Sequence, residues 1–325
     1  MSAATLVLSM NSSPSLYYYF GSRAKHNSRR IRILALDQEK IDYGSLAGYS
    51  RIIVCRYLSI AVLLRLILLH YLTKSLPPCI HFIDDDMAHA FQYRQLAIGY
   101  RFKTSWRYWT SSILLQLIGA KRWTSTEALA RLYSSESKPA VVTPFEYPVL
   151  KKIGSPELVY FYHGTWAHRE EIEWLVPIVT MVQNKNPLVI FEIIGNRTVQ
   201  KWFRGIPRVH ILEGMPWSAY YRHTQDHHYA LGLVPCLNYR FNEFRSYTKI
   251  FDITRIGAIG LYSDALAYQQ MIENDRNGVK LQNDPQEWAE AIQHWLSAHD
   301  ERKELFDLAH AWVCEATSKN MELLN

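Results

Sequence analysis

Cysteine is scarce in this sequence. The four in 325 residues, Cys55, Cys79, Cys236 and Cys314, lie far apart and never as Cys-x-x-Cys. That spacing argues against a disulfide framework and a cysteine zinc site. It fits a reducing compartment, with each thiol a small buried hydrophobe. The Gly-x-Ser-x-Gly elbow, the Walker loop and the Gly-x-Gly-x-x-Gly fingerprint are also missing, which argues against α/β-hydrolases, P-loop enzymes and ordinary dehydrogenases. No basic-aromatic motif points to nucleic acid, and there is no internal repeat or low-complexity segment. His223, Asp226, His227 and His228 read as a solvated helix end rather than a metal site. The opening MSAATLVLSMNSS has no basic stretch, so no secretory leader is expected there.

What is present fits a soluble enzyme of two domains: 48% hydrophobic, 20% charged and 13% aromatic residues. The formal charge of +6 favours anionic partners such as nucleotide diphosphates or acidic lipid surfaces. Short apolar runs predict strands over 5–10, 31–36, 51–55 and 80–83 in a first half, then 158–163, 188–194, 209–212, 231–236, 258–263 and 279–281 in a second. Helical patterns fall between them: 59–76, 87–99, 111–118 and 127–133, then 169–182, 218–222, 247–256, 285–297 and 304–316. The most membrane-like segment, 52–72, carries Arg56 and Arg65 and reads as a strand followed by a buried helix. Alternating strands and helices predict two doubly wound α/β domains, over 1–150 and 151–325, with a linker near 146–156.

The most informative stretch is 231–264, which reads as strand, polar loop, helix, tight turn and strand. Ser246 is placed to cap the helix and Gly257 to end it. In such crossovers ligands sit beyond the carboxyl ends of the strands. Asn242, Arg245, Ser246 and Lys249 fall there, at a helix start suited to a phosphate. Asp252 lies one turn on from Lys249, where a carboxylate accepts bonds from ribose or sugar hydroxyls.

Lys249-x-x-Asp252, Gly257 and a strand ending in Ser263-Asp264 resemble the donor-binding segment of retaining, family-four-like glycosyltransferases of the GT-B fold. The likeness is strongest to bacterial relatives with an Asn-x-x-Lys/Arg-Ser-x-x-Lys segment, which here reads Asn242, Arg245, Ser246, Lys249. The chain departs from the pattern in having Asp252 for glutamate. The earlier glutamate falls at Phe244, with Asn242 and Glu243 as the nearest polar groups. His163-Gly164-Thr165 resembles the family's glycine loop for a diphosphate, with His168 and Arg169 in the place of its later basic group. Glu213-Gly214 falls where the family holds the base.

The resemblance implies two Rossmann-like domains facing across a cleft, the last helix crossing back to the first. It implies transfer of a sugar from a nucleotide-diphosphate sugar to a glycan or lipid-linked acceptor in bacterial surface polysaccharide synthesis, with retention. Lys249 and Asp252 are then the catalytic candidates of the second domain. No metal or other cofactor is expected, because a lysine at the bridging oxygens stabilises the leaving diphosphate. The acceptor side falls to Arg56, Asp84 and Asp85, with Asp86 a candidate near the reacting sugar. Asp84-Asp85-Asp86 also holds the Asp-x-Asp spacing by which GT-A enzymes bind a metal. A nucleotide-sugar epimerase of the same fold and a non-catalytic binding subunit remain alternatives. The expected location is cytoplasmic, with peripheral contact to an anionic inner membrane.

Overall fold

The computed structural model describes residues 4–94, 96–134, 139–146 and 158–319. They divide into two compact units: the first takes the described residues up to Glu146 with Phe244–Ser246 and Lys319, and the second takes the rest. Beyond Glu146, the expected linker lies outside the described residues.

The first unit runs β1 (Thr5–Ser9), α1 (Pro14–Leu16), a π-helical turn over Tyr17–Gly21, α2 (Ser22–His26), β2 (Ile31–Ala35), β3 (Arg51–Cys55), α3 (Ile60–Thr73), β4 (Cys79–Ile83), α4 (Ile98–Gln116), β5 (Lys121–Thr124), α5 (Glu127–Leu132) and β6 (Ala140–Val141). Its strands pair in the order β2-β1-β3-β4-β5-β6, all parallel. Runs such as TLVLS and RIIVC are apolar on both faces because helices cover both sides of a parallel sheet. The order reverses between β1 and β3, so the switch point of this sheet lies beside Arg56 at the end of β3.

Two expectations for this unit are corrected. Helices expected over 87–99 and 111–118 are instead a short turn at Ala90–Gln92 and one 19-residue helix, α4. Its buried face is made largely of Thr104, Ser105, Tyr108, Ser111 and Ser112, so apolar periodicity does not reveal it. Those hydroxyls satisfy loop backbone: Ser105 accepts from the Phe91 N–H (3.0 Å) and Ser111 from the Leu58 N–H (3.2 Å). Second, α3 is not a buried helix. Only Leu63 and Leu66 are buried along it, while Leu68, Tyr71 and Leu72 are more than half exposed.

The second unit runs β7 (Val159–Tyr162), α6 (Arg169–Lys185), β8 (Ile190–Ile194), α7 (Arg197–Trp202), β9 (Val209–Leu212), α8 (Trp217–Asp226), β10 (Leu231–Val234), α9 (Thr248–Ile256), β11 (Ile259–Ser263), α10 (Leu266–Gln269), β12 (Val279–Leu281), α11 (Pro285–Ser297) and α12 (His299–Lys319). Its parallel strands are ordered β12-β11-β10-β7-β8-β9. This is the Rossmann order, with its switch point between β7 and β10. The two faces of the sheet differ in chemistry. Tyr160, Tyr162, Phe191 and Ile193 join Leu175, Val179, Trp288 and Ile292 in the main core. On the other face Phe161 and Glu192 are register partners, and Gly232 pairs with Phe161. A Cβ on Gly232 would lie 2.7 Å from the Ile253 side chain, so glycine lets α9 pack close to the sheet.

Candidate functional site

Lys249 lies in the first turn of α9. Its Nζ donates to the His163 carbonyl, 2.7 Å away, just beyond the carboxyl end of β7. An ammonium is thereby held at the switch point of the second sheet, beside Gly164. The helix that carries it ends at Gly257 (φ 92°), as the sequence predicts. Ser246 does not cap it: the N-cap residue is Tyr247, with no side-chain cap bond, and the Ser246 hydroxyl contacts the Tyr19 hydroxyl.

Behind Lys249 lies a buried polar network that sequence reasoning missed. His163 is enclosed, its Nε2 3.0 Å from Glu192 and its Nδ1 3.3 Å from the Tyr220 hydroxyl. Tyr220 donates to Asp252 Oδ2 (2.8 Å), and Arg255 donates to Asp252 Oδ1 (2.7 Å). Arg255 also reaches the Thr224 hydroxyl (3.0 Å). Glu192 accepts from Tyr229 (2.5 Å) and lies 3.3 Å from His223 Nε2. Burial lowers the His163 pKa against the opposing pull of Glu192. For Glu192, burial pushes the pKa up, but bonds from His163 and Tyr229 outweigh it and bring it down to about 2. His223 is therefore part of this network rather than solvated, unlike the exposed Asp226, His227 and His228. One signal was legible: Glu192 is a lone carboxylate inside the apolar strand IFEII.

Asp252, expected to meet sugar hydroxyls, is only 5% exposed, with both oxygens accepting from protein donors. Gly164 is buried; Thr165 is exposed, and His168 and Arg169 are half-buried at the turn into α6. A Cβ on Gly164 would fall 2.6 Å from the Tyr162 ring. Gly164→Ala should therefore cost about 1–3 kcal/mol by overpacking, read as a lower denaturant midpoint, while Thr165→Ala should be neutral. Gly214 stands exposed on the turn after β9, with open space around it. Asn242 is buried and donates to Glu171 Oε1 (3.1 Å) and the Leu237 carbonyl (2.7 Å). It lines a depression of about 180 Å³ with Glu243, Leu237 and Tyr239 near the carboxyl end of β10. Ser263, the serine that ends β11, accepts from the Cys236 N–H (2.8 Å) and bonds Asn283 (2.5 Å), tying β10 to the loop after β12.

In the first unit, Arg56 follows β3 with φ 64° and grips Asp84 through both carboxylate oxygens, at 2.6 Å each. Its NH2 also donates to Ser15 (2.9 Å) and Asp85 (3.2 Å). Asp86 is buried and accepts from Tyr133 (2.8 Å) and Tyr93, with His89 Nδ1 2.9 Å away. Asp85 alone of the three keeps substantial exposure, 29% of its side chain. Burial and Asp84 push its pKa up to about 7 against Arg56 and Arg245. Arg245 and Ser246 cluster with this unit, whereas Lys249 and Asp252 belong to the second. Among the described residues, no group of three or more His, Cys, Asp or Glu side chains is arranged to hold a metal.

Two all-parallel six-stranded sheets, one in Rossmann order with a lysine at its switch point, decide the comparison. The fold is GT-B. Over 99% of this chain and 98% of the other, it superposes on HepE of Anabaena in complex with UDP and glucose, with a TM-score of 0.62 at 12% identity. TarM, described from S. aureus, matches 84% of this chain at a TM-score of 0.60 and 14% identity. The chain spans about half the length of TarM, 53%. The UDP-GlcNAc 2-epimerase of Neisseria meningitidis, bound to UDP-GlcNAc, matches at a TM-score of 0.50 and 12% identity, over 98% of this chain and 100% of the other. No protein-family model matches this GT-B chain, and no curated protein matches its sequence.

Proposed function

We propose that the chain is a glycosyltransferase. It moves a sugar from a nucleotide-diphosphate sugar to a glycan or lipid-linked acceptor in bacterial surface polysaccharide synthesis, with retention of configuration and without a metal. The observation that carries this reading is the Lys249 ammonium held 2.7 Å from the His163 carbonyl at the β7–β10 switch point, beside Gly164. When the bond from the anomeric carbon to the diphosphate breaks, its electrons pass to the phosphate oxygen. A fixed cation at that oxygen favours the transition state over the ground state. The acceptor hydroxyl oxygen then forms the new bond to the anomeric carbon, and its proton passes to the departing diphosphate. Asn242, Glu243 and Gly214 are assigned to the sugar and base, and Thr165, His168 and Arg169 to the diphosphate. Asp252 is a positioning residue, holding Tyr220 beside His163. Arg56 positions Asp84 on the acceptor side, and Asp85 is the partly exposed carboxylate beside it, its pKa raised by burial and by Asp84.

HepE in complex with UDP-glucose supports a UDP-sugar donor over other nucleotide ligands. The epimerase likeness keeps a second reading in play, interconversion of a nucleotide sugar without an acceptor. A direct test is release of free nucleotide from UDP- and GDP-sugars, with and without a panel of glycan acceptors. Acceptor-dependent release is expected. Isomerised nucleotide sugar without any acceptor requirement would establish the second reading instead. Absence of any melting shift with every nucleotide sugar would remove both.

A further inference from the structure

Helices α3 and α4 each leave a stripe of large apolar side chains uncovered. On α3 it runs through Ile60, Leu64, Leu68, Tyr71 and Leu72, exposed by 46% to 77%. On α4 and its C-cap residue it runs through Ile98, Phe102, Trp106, Trp109, Ile113 and Leu117, exposed by 46% to 69%. Steps of three and four residues keep each set on one helix face. The stripes lie side by side. Ile60 and Trp106 line one depression of about 230 Å³, and the Tyr71 hydroxyl donates to the Leu117 carbonyl (2.7 Å). Monomeric soluble proteins rarely expose a contiguous apolar face of this kind.

The charge around the face bears on what covers it. From Arg56 to Thr126 the only acidic residues are Asp84, Asp85 and Asp86, and neither helix contains one. Arg65, Lys74 and Lys103 are exposed on these helices and at their ends, and Arg101 and Arg107 are half-buried on α4. Leucine, tryptophan and tyrosine on one face, bordered by cations and free of carboxylates, match an anionic headgroup layer. The aromatic rings seat at the headgroup level, and the cations meet phosphates. Among the described residues no helix is long and apolar enough to cross a bilayer, so these helices would lie along the surface.

We propose that the α3–α4 face of the first unit docks the chain on an anionic lipid bilayer, with both helices in the headgroup plane. This surface is independent of the nucleotide-sugar reading. The full chain would be sedimented with vesicles of phosphatidylglycerol and phosphatidylcholine, and with phosphatidylcholine alone. Wild-type partitioning onto the anionic vesicles should be at least about tenfold higher, and should fall as salt rises from about 0.1 M to 0.5 M. Phe102→Ser and Trp106→Ser should each weaken it by roughly tenfold or more, with unchanged melting because both side chains are already exposed. Lys103→Glu should weaken binding only to anionic vesicles. Failure of wild type to sediment with either vesicle overturns the proposal, as does equal partitioning of all variants. So does a solution dimer that Trp106→Ser converts to monomer, because the face then belongs to a second copy of the chain.

Discussion

Lys249→Ala is expected to lower kcat/KM for the nucleotide sugar by about 10²- to 10³-fold while leaving the fold in place. The magnitude follows from removing one preorganised charge aimed at the oxygen where negative charge develops, in a site partly shielded from water. Lys249 is half-buried and sits in the first turn of α9, so truncation removes its bond to the His163 carbonyl and little packing. That loss amounts to about 1–2 kcal/mol of stability, and helical content should not change. Lys249→Arg should recover part of the activity, since a planar guanidinium carries the charge but not the compact geometry of an ammonium. Calorimetric titration with UDP, followed by turnover with a glycan acceptor, separates the terms. A variant that binds UDP as tightly as wild type and turns over unchanged would remove Lys249 from the site, and with it the main support for sugar transfer.

The frame of the molecule was legible because parallel strands buried on both faces are written as unbroken apolar runs. RIIVC, CIHFI and IGLYS each stand as strands where that pattern places them. Helix α9 was legible for a different reason: Gly257 supplies a left-handed stop that few other residues adopt. The failures have a common cause. Apolar periodicity reports burial only where burial is apolar. Helix α4 buries serines, threonine and tyrosine and exposes tryptophans, so its pattern is inverted. Helix α3 is apolar except at Arg65, His70 and Thr73, so the sequence marks only a narrow part of its solvent face. The site was half legible. Lys249, from one motif, bonds the carbonyl of His163, the residue before Gly164 of the other, at the end of β7. The chain from Glu192 through His163 and Tyr220 to Asp252 joins residues on β8, at the end of β7, on α8 and on α9. Only sheet register and helix packing bring those four together.

That chain carries the second large expected effect. Glu192→Gln should cost about 3–4 kcal/mol at pH 7, because the shift from the ordinary 4.5 to about 2 is worth roughly 1.4 kcal/mol per unit. The sign follows from the direction of the shift. A carboxylate whose folded pKa lies below its unfolded value contributes stability that is complete above about 4.5 and is lost as pH falls toward 2. His163, also lowered, adds to the same trend, since the folded state resists its protonation below the ordinary histidine range. Wild type should therefore lose stability steadily under acid, and Glu192→Gln should lose less between pH 4.5 and 2, having no carboxylate there to protonate. Tyr229, His163 and His223 all converge on Glu192 Oε1, and the neutral amide oxygen of a glutamine there accepts from them more weakly than a carboxylate. Because the His163 carbonyl holds Lys249, a shifted ring should reach the donor site as well. The expected signature is a several-fold rise in KM for the nucleotide sugar together with the lost acid slope. Urea unfolding from pH 2 to 8 reads the first term and steady-state kinetics the second. Unchanged stability at pH 7 with the wild-type acid slope intact would show that the network contributes nothing to the fold. A normal KM in a destabilised variant would confine its role to stability and leave Lys249 positioned by α9 alone.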